Sequence, residues 1–260
     1  MDFSTTDGFQ LAFDDSAPAD YDRAILLVHG FASNRNEGWK RTGWYAALGR
    51  RRFRVIALDQ RGHGESGKSH DPSAYLRANL ARDVVELIDH LGVNRVDLFG
   101  YSMGARTAAA AALAAPDRFS NLILGGVGDK LLTERSGDRA EVMVQAMLAE
   151  DPETIAEPFL KSFRQFADEQ GEDRQALAAF VQASNPPLDV AGFATLPMPV
   201  LAVAGARETN GDPIELAKSF PLGQGVVIPG CDHFSAIPHA LTKAAVFDFI
   251  DGVLDDPWAR

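Results

Sequence analysis

The sequence predicts an α/β protein with a mostly parallel sheet of about eight strands, helices on both faces and a small helical insertion. Three observations indicate this architecture. Short apolar runs alternate with longer stretches of helical periodicity, which is typical of parallel strands joined by helices. Between residues 131 and 195 the short apolar runs typical of strands are missing, and the apolar residues recur only at helical spacing. The chain of 260 residues is long enough to bury a sizeable core in one large domain.

The candidate strands are of two kinds. Residues 9–13 alternate in polarity, as expected of an antiparallel strand at the edge of a sheet. The other runs are nearly continuous in apolar residues, which favours parallel strands that are buried on both faces. These runs cover residues 24–28, 53–58, 95–100, 122–124, 199–204 and 226–228.

Helical patterns lie between these strands. Over residues 73–91, apolar side chains recur every three or four positions, and Gly92 follows as a helix-ending residue. The alanine-rich residues 103–115 form another predicted helix, which Pro116 stops. Two more helices are predicted near residues 39–51 and 238–253.

The interruption of the strand pattern predicts a separate helical segment. Ile155, Phe159, Phe163 and Phe166 are spaced by four, four and three residues, so they share one face of a helix. Two further helices are predicted around Val142, Met143 and Met147 and around Leu177, Phe180 and Val181. We predict a core of residues 1–130 and 196–260 with a helical lid, residues 131–195, whose apolar face lines a substrate pocket. Alternatively, the three helices only fill the core.

Composition excludes several classes of partner and site. With 25 Lys and Arg against 36 Asp and Glu, the net charge is −11, which argues against nucleic acid or an anionic membrane as a partner. Cys231 is the single cysteine, so neither an intrachain disulfide nor a cysteine zinc site can form. The first residues lack the features of a secretory signal, and the longest apolar stretch, 107–115, is too short to span a bilayer. We therefore expect a cytoplasmic protein; the oligomeric state is left open.

A five-residue motif carries the first indication of chemistry. Gly100, Tyr101, Ser102, Met103 and Gly104 fit Gly-x-Ser-x-Gly directly after a predicted strand and directly before a predicted helix. A nucleophile on so sharp a turn needs a strained backbone, and the flanking glycines let neighbouring segments approach. The N-terminus of the following helix favours negative charge that develops there. The alternative is that Ser102 only caps the helix.

With three further segments, this motif makes the chain similar to the α/β-hydrolase family. The segments are His29-Gly30-Phe31, the sequence DQRGHGES at 59–66 and GCDHF at 230–234, and they follow one another in the family's order at the ends of predicted strands. The resemblance extends over nearly the whole chain. It implies an α/β-hydrolase fold with a nucleophilic serine, a histidine base late in the chain and an acid between them.

The base is the easier of the two partners to assign. A serine hydroxyl is a weak nucleophile and needs a base that accepts a proton near neutral pH, which points to histidine. Of six histidines, His233 follows the last predicted strand and a glycine, where a loop can reach back over Ser102. His29 and His63 lie in glycine turns, where a structural role is expected. We predict His233 as the base.

Three residues compete for the role of the acid, which orients the imidazole and stabilises its charged form. The resemblance places the acid three residues after the glycine that ends the penultimate strand, and that position after Gly205 is Glu208. The family usually has aspartate there, and the longer glutamate requires a slightly displaced loop. Asp212 is near enough to compete, although it also fits the N-cap of a helix. Some family members place the acid at the position of Asp129. We favour Glu208.

Backbone donors complete the predicted site. Fixed N–H groups that face the developing oxyanion often contribute the largest catalytic effect. The residue after the nucleophile, Met103, is expected to supply one N–H, and the resemblance assigns the second to Phe31. The sequence has no metal-ligand spacing and no nucleotide-binding fingerprint, so we predict neither a metal nor a cofactor.

These residues predict a serine hydrolase that cleaves a small carboxylic ester or lactone through an acyl-enzyme. The same residues also suit carbon–carbon bond hydrolysis and perhydrolase or haloperoxidase-like chemistry. The alternative from another class is a ligand receptor without catalysis, because fold alone does not decide function. An intact set of serine, histidine and acid argues against a receptor.

Overall fold

A computed structural model of the protein describes residues 1–133 and 137–253; residues 134–136 of the predicted lid and 254–260 of the predicted core lie outside the described residues. Within the described part, eight strands form one sheet in the order β1-β2-β4-β3-β5-β6-β7-β8. β1 pairs with β2 and β2 with β4 in antiparallel fashion, and all other neighbours are parallel. The strands are β1 (Asp2–Ser4), β2 (Gln10–Ser16), β3 (Arg23–Val28), β4 (Phe53–Leu58), β5 (Val96–Tyr101), β6 (Phe119–Gly125), β7 (Val200–Gly205) and β8 (Gly223–Ile228).

Alternate side chains of the central strands enter two different cores. In β3, Leu26 and Val28 join the apolar cluster on one face, whereas Ile25 and Leu27 join the cluster on the other face. Strand side chains alternate between faces, so a sheet covered on both sides needs apolar residues at every position. This arrangement explains the continuous apolar runs and confirms the predicted fold class.

Helices cover both faces of the sheet. Residues of α2 and α3 pack into the first cluster, and residues of α1 and α9 pack into the second. The described helices are α1 (Trp44–Arg50), α2 (Arg77–His90), α3 (Met103–Ala114), α4 (Gly137–Leu148), α5 (Pro158–Glu169), α6 (Arg174–Gln182), α7 (Pro213–Ala217), α8 (His233–Ala236) and α9 (Ala240–Ile250).

Helices α4, α5 and α6 lie between β6 and β7 in the chain and share a small apolar cluster of their own. The aromatic helix starts later than its spacing suggests, because Glu157 caps the backbone N–H groups of Phe159 and Leu160 and Pro158 occupies the first turn. Ile155 therefore lies outside α5. The division into a core and a lid stays a prediction.

Two local features depart from the predicted elements. Strand β1 was not predicted, since three residues are too few to show a periodicity. The predicted helix at 39–51 is divided: Asn36–Lys40 form a π-helical turn, and Gly43, with a φ of 80°, precedes α1. Across residues 1–133 and 137–253, no helix has the length and apolar character needed to cross a bilayer. The cytoplasmic location stays a prediction.

Candidate active site

Ser102 occupies a strained turn between β5 and α3. Its φ is 57° and its ψ is −112°, a conformation that non-glycine residues rarely adopt. The turn is held by its neighbours, since the Ser102 N–H donates to the carbonyl oxygen of Gly125 over 2.8 Å. A strained residue that is fixed in this way projects its side chain from the carboxyl edge of the sheet, where α/β proteins bind ligands.

The glycines around Ser102 are required by close contacts. A Cβ atom on Gly104 would lie 2.0 Å from the carbonyl oxygen of Val28, and one on Gly100 would lie 2.2 Å from the carbonyl oxygen of Gly104. On Gly30 it would lie 3.4 Å from the Cβ of Ser102. The two motif glycines thus allow α3 to pack directly against β3 and β5, and Gly30 brings the loop after β3 beside the serine.

His233 is the first residue of α8, which follows β8. Its Nε2 lies 3.0 Å from Ser102 Oγ. Asp232 caps α8 by accepting from the backbone N–H groups of Phe234 and Ser235, and the Tyr101 hydroxyl donates to the His233 carbonyl oxygen over 2.6 Å. Burial raises the pKa of Tyr101 well above its usual value, so the hydroxyl keeps its proton and remains a donor. The Asp232 cap and the Tyr101 hydroxyl therefore fix the backbone that carries the imidazole.

Glu208 holds the other ring nitrogen. Its Oε2 lies 2.7 Å from His233 Nδ1, and its side chain is only 1% exposed. Its Oε1 accepts from the Thr209 N–H over 2.8 Å and from the Asn210 N–H over 3.0 Å. The Asn210 side-chain amide donates to the same oxygen over 2.9 Å. These donors fix the carboxylate against the ring and satisfy it in a buried place.

The hydrogen-bond network selects one tautomer of His233. A carboxylate can only accept, so Nδ1 carries the proton that it donates to Glu208. Nε2 is then the unprotonated nitrogen and accepts from the Ser102 hydroxyl. This is the tautomer that a general base for Ser102 requires.

The two other carboxylates considered as the acid have different partners. Asp129 Oδ1 accepts from the Asp212 N–H over 2.8 Å. Asp212 Oδ1 accepts from the Ile214 N–H over 2.8 Å, with Pro213 in the first turn of α7. Both carboxylates thus stabilise the segment that begins α7. The structure brings Glu208 to the imidazole and uses Asp129 and Asp212 elsewhere.

The two predicted backbone donors flank Ser102. Met103 is the first residue of α3, and Phe31 directly follows Gly30. In the described part of the chain, neither of their N–H groups donates to a protein acceptor. Their role as donors to a substrate oxygen stays a prediction.

A cavity of about 180 Å³ opens onto the serine and the histidine. Phe31 and, from α5, Phe163 and Phe166 contribute aromatic side chains, and Phe234 adds another from α8. The ring centroids of Phe31 and Phe163 are 6.1 Å apart, and those of Phe163 and Phe234 are 5.4 Å apart. A second part of the lining is polar and comes from Ser33, Glu37 and Thr42. The cavity thus combines an apolar wall with a polar one beside the reactive groups.

The histidines of the glycine turns are structural. Each uses Nδ1 on a backbone carbonyl oxygen, His29 on Gly30 over 2.8 Å and His63 on Arg61 over 2.9 Å. Burial lowers the pKa of His29 to about 4 and that of His63 to about 3. Both imidazoles are therefore neutral at physiological pH.

Sequence reasoning missed Glu172, a buried carboxylate between α5 and α6. Its carboxylate accepts from the Gly64 N–H, with Oε2 at 2.9 Å, and its Oε1 accepts from Asn34 Nδ2 over 3.2 Å. Asn34 in turn accepts, through Oδ1, from the backbone N–H groups of Asn36 and Glu37. Burial raises the pKa of Glu172. Because its partners are more than a hundred residues away in sequence, no local signal marks this residue.

Among the residues that the structure describes, no group of three or more His, Cys, Asp and Glu side chains is arranged to hold a metal ion.

Comparison with known proteins agrees with this geometry. A family model described as the alpha/beta hydrolase fold matches residues 23–189. The chain is similar to a solved hydrolase from Pseudomonas aeruginosa PA01, with 26% identity and a TM-score of 0.78 over 96% of this chain and 97% of that one. It is also similar to a thermophilic esterase from Thermogutta terrifontis, with 27% identity and a TM-score of 0.69 over 97% and 98% of the two chains.

A curated relative has a different activity in its name. Epoxide hydrolase B from Mycobacterium tuberculosis (strain ATCC 25618 / H37Rv) is 32% identical over 115 residues, which are 42% of this chain and 30% of that protein. For this and seven other curated relatives, the chain spans between 28% and 58% of their lengths. The family match, however, covers more than half of this chain and agrees with the sheet order. The chain therefore belongs to the α/β-hydrolase family.

Proposed function

We propose that the protein is a serine hydrolase that cleaves a small carboxylic ester or lactone. The observation that carries this proposal is the continuous path from Ser102 Oγ to His233 Nε2, 3.0 Å, and from His233 Nδ1 to Glu208 Oε2, 2.7 Å. A hydroxyl, a base and an acid in this order form a unit that activates the hydroxyl as a nucleophile.

In the first half of the reaction, Ser102 Oγ attacks the carbonyl carbon while its proton moves to His233 Nε2. Glu208 stabilises the imidazolium that forms. The carbonyl oxygen gains negative charge and accepts from the N–H groups of Phe31 and Met103. When the tetrahedral intermediate collapses, the bond to the alcohol oxygen breaks and that oxygen takes the proton from Nε2. The product is an acyl group on Ser102.

In the second half, water replaces the alcohol. His233 Nε2 takes a proton from the water as its oxygen attacks the acyl carbon. Collapse of the second intermediate returns this proton to Ser102 Oγ and releases the carboxylic acid. For a lactone, acid and alcohol belong to one molecule, and the product is a hydroxy acid.

The size and lining of the cavity favour a small substrate. A space of about 180 Å³ is below the range typical of sites for drug-sized ligands. The likeness to the Thermogutta esterase supports ester cleavage. The likeness to epoxide hydrolase B concerns less than half of this chain. The strained turn between β5 and α3 presents the hydroxyl of Ser102 and not a carboxylate, which favours acyl transfer over epoxide opening.

Hydrolysis of p-nitrophenyl acetate and butyrate tests the proposal. We expect turnover by the natural protein and none above the uncatalysed rate by Ser102→Ala, with an unchanged circular dichroism spectrum. Esterase activity that persists in Ser102→Ala would remove this mechanism. A natural protein that binds esters without cleaving them would support the receptor alternative.

A further inference from the structure

We infer that Glu37 makes this cavity selective for esters that carry a cationic group, such as an ammonium. The inference rests on the proposed function for its catalytic part and names the substrate class of the same site. Nothing in the sequence motifs points to Glu37; its place in the cavity does.

Glu37 is the charged residue of the polar wall. Among the described residues that line the cavity, it is the only carboxylate, and none is lysine or arginine. The same cavity is lined by Ser102 and His233, so a substrate in reaction with the serine also lies near Glu37. Beside protein atoms, where the effective dielectric constant is lower than in bulk water, a carboxylate attracts a cation and repels an anion more strongly.

The backbone around Glu37 is fixed. Its own N–H donates to Asn34 Oδ1 over 3.0 Å, and Asn34 is in turn bound to the buried Glu172. The Glu37 side chain is only 12% exposed. A carboxylate on a fixed segment costs little entropy to order when a ligand binds.

The Glu37 carboxylate has two side-chain partners: Asn36 Nδ2, which donates to Oε1 over 3.1 Å, and the cation Arg41. Arg41 donates to Oε1 over 3.0 Å and to Oε2 over 2.9 Å, but its own side chain is 67% exposed. Because the Arg41 guanidinium lies largely in water, it can exchange the carboxylate for water molecules at little cost. A substrate cation can replace the guanidinium, which then returns to solvent.

The aromatic wall favours the same group. Phe31, Phe163 and Phe234 line the cavity with neighbouring centroids 6.1 Å and 5.4 Å apart. Ring faces attract cations, and quaternary ammonium groups are commonly bound among aromatic rings. A carboxylate and several rings in one small cavity are the two elements that recognise an alkylammonium group.

The test uses substrates that differ only in charge. On the alcohol side these are choline acetate and its uncharged isostere 3,3-dimethylbutyl acetate, with 3-acetoxypropanoate, which has the same chain length, as the anion. On the acyl side these are the p-nitrophenyl esters of 4-(trimethylammonio)butanoic acid, 5,5-dimethylhexanoic acid and glutaric acid. We expect kcat/KM for the cation to exceed that for its isostere by about tenfold in at least one series, with the anion slowest.

Two variants identify the responsible charge. Glu37→Gln keeps the shape of the side chain and is expected to reduce the cation-to-isostere ratio to near one. Arg41→Gln removes the surface pair but leaves the carboxylate, and we expect it to keep or increase this ratio. If Glu37 only held its helical turn through Arg41, both variants would shift the ratio alike, which would overturn the inference. A natural protein that prefers the anion, or shows no charge preference in either series, overturns it as well.

A binding measurement separates this inference from the catalytic one. Calorimetry with Ser102→Ala compares the dissociation constants of the cation and the isostere of each series without turnover. Tighter binding of a cation, lost in Ser102→Ala combined with Glu37→Gln, supports the role of Glu37 even if no ester is cleaved. Equal affinities within both series contradict it even if the natural protein is an active esterase.

Discussion

His233 Nδ1 and Glu208 Oε2 are 2.7 Å apart, although the two residues follow different strands. Glu208 follows β7 and makes a turn in which its N–H donates to the Gly205 carbonyl oxygen over 2.9 Å. Its longer side chain is accommodated because Thr209 and Asn210 bind the second carboxylate oxygen. Glutamate thus reaches the imidazole with both of its carboxylate oxygens hydrogen-bonded.

Substitution of the three carboxylates is expected to single out Glu208. Glu208→Gln replaces an acceptor by an amide that favours the wrong tautomer of His233, so kcat should fall by about 10³–10⁴. Asp129→Asn and Asp212→Asn should change kcat by less than about threefold, since their carboxylates bind backbone groups near α7. Steady-state kinetics on p-nitrophenyl butyrate measure all three. A Glu208→Gln protein with nearly natural rates would transfer the role to another acid.

Glu172 is expected to control how α5 and α6 sit on the loops of the core. Glu172→Ala leaves the Gly64 N–H and the Asn34 amide without their acceptor, which should lower the free energy of unfolding by about 1–3 kcal/mol. Because Asn34 Oδ1 holds the backbone N–H groups of Asn36 and Glu37, and Glu37 lines the cavity, we expect KM to rise more than kcat falls.

Two matched variants make the Glu172 prediction specific. Glu172→Gln keeps an acceptor oxygen and should recover most of the loss in both stability and KM. Glu169→Ala removes an exposed carboxylate of α5 and should change neither. Denaturation in urea measures the free energy of unfolding, and Michaelis plots measure KM. Equal values for Glu172→Ala and Glu169→Ala would refute a role for the hydrogen bonds of Glu172.

Gly104 and Gly49 both lie in helices, but their replacement by alanine is expected to change the free energy of unfolding in opposite directions. A Cβ on Gly104 would meet the Val28 carbonyl oxygen at 2.0 Å, whereas one on Gly49 meets nothing within 4 Å. Gly104→Ala should lower the free energy of unfolding by about 3 kcal/mol or more. Gly49→Ala should raise it by about 0.5–1 kcal/mol through helix propensity. Urea titrations compare both with the natural protein; a stable Gly104→Ala would contradict the close packing of α3 on β3.

The buried histidines are expected to make the protein acid-sensitive. Burial lowers the pKa of His63 to about 3 and that of His29 to about 4. Below pH 6.5 these imidazoles bind protons in the unfolded chain but stay neutral in the folded protein. The free energy of unfolding therefore falls as the pH falls from 6.5 towards the pKa of the folded state. Between pH 7.5 and 5 each imidazole should account for a loss of about 2 kcal/mol.

Substitution of His63 isolates its contribution from that of other titrating groups. His63→Gln is expected to lose about 2 kcal/mol less than the natural protein over this interval. The comparison uses the free energy of unfolding in urea at pH 7.5 and at pH 5 for both proteins. If both proteins lost the same free energy of unfolding, His63 would bind a proton as readily in the folded protein as in the unfolded chain, which contradicts the prediction.

The turn that carries Ser102 was predictable because its determinants are local. The apolar run at 95–100, the motif glycines and the alanine-rich residues 103–115 were enough to place β5 (Val96–Tyr101) and α3 (Met103–Ala114) to within a residue. The fold class was predictable for a similar reason, since residues buried on both faces of a parallel sheet leave continuous apolar runs.

The choice among acids was not predictable from the residues alone. Glu208, Asp129 and Asp212 all follow strands or begin helices, and only the three-dimensional arrangement shows which carboxylate meets the imidazole. The same holds for Glu172, which acts through partners on distant loops, and for Glu37, whose place in the cavity is set by residues from other parts of the chain. Strand β1 is too short for any periodicity to reveal it.

Covalent labelling by a fluorophosphonate tests most directly whether Ser102 is activated by His233. Intact-mass and peptide analysis of the natural protein should show one adduct, located on Ser102. Labelling should disappear in Ser102→Ala and slow by orders of magnitude in His233→Ala, because the hydroxyl then lacks its base. A natural protein that stays unlabelled, or one that is labelled equally fast without the imidazole, would contradict the account.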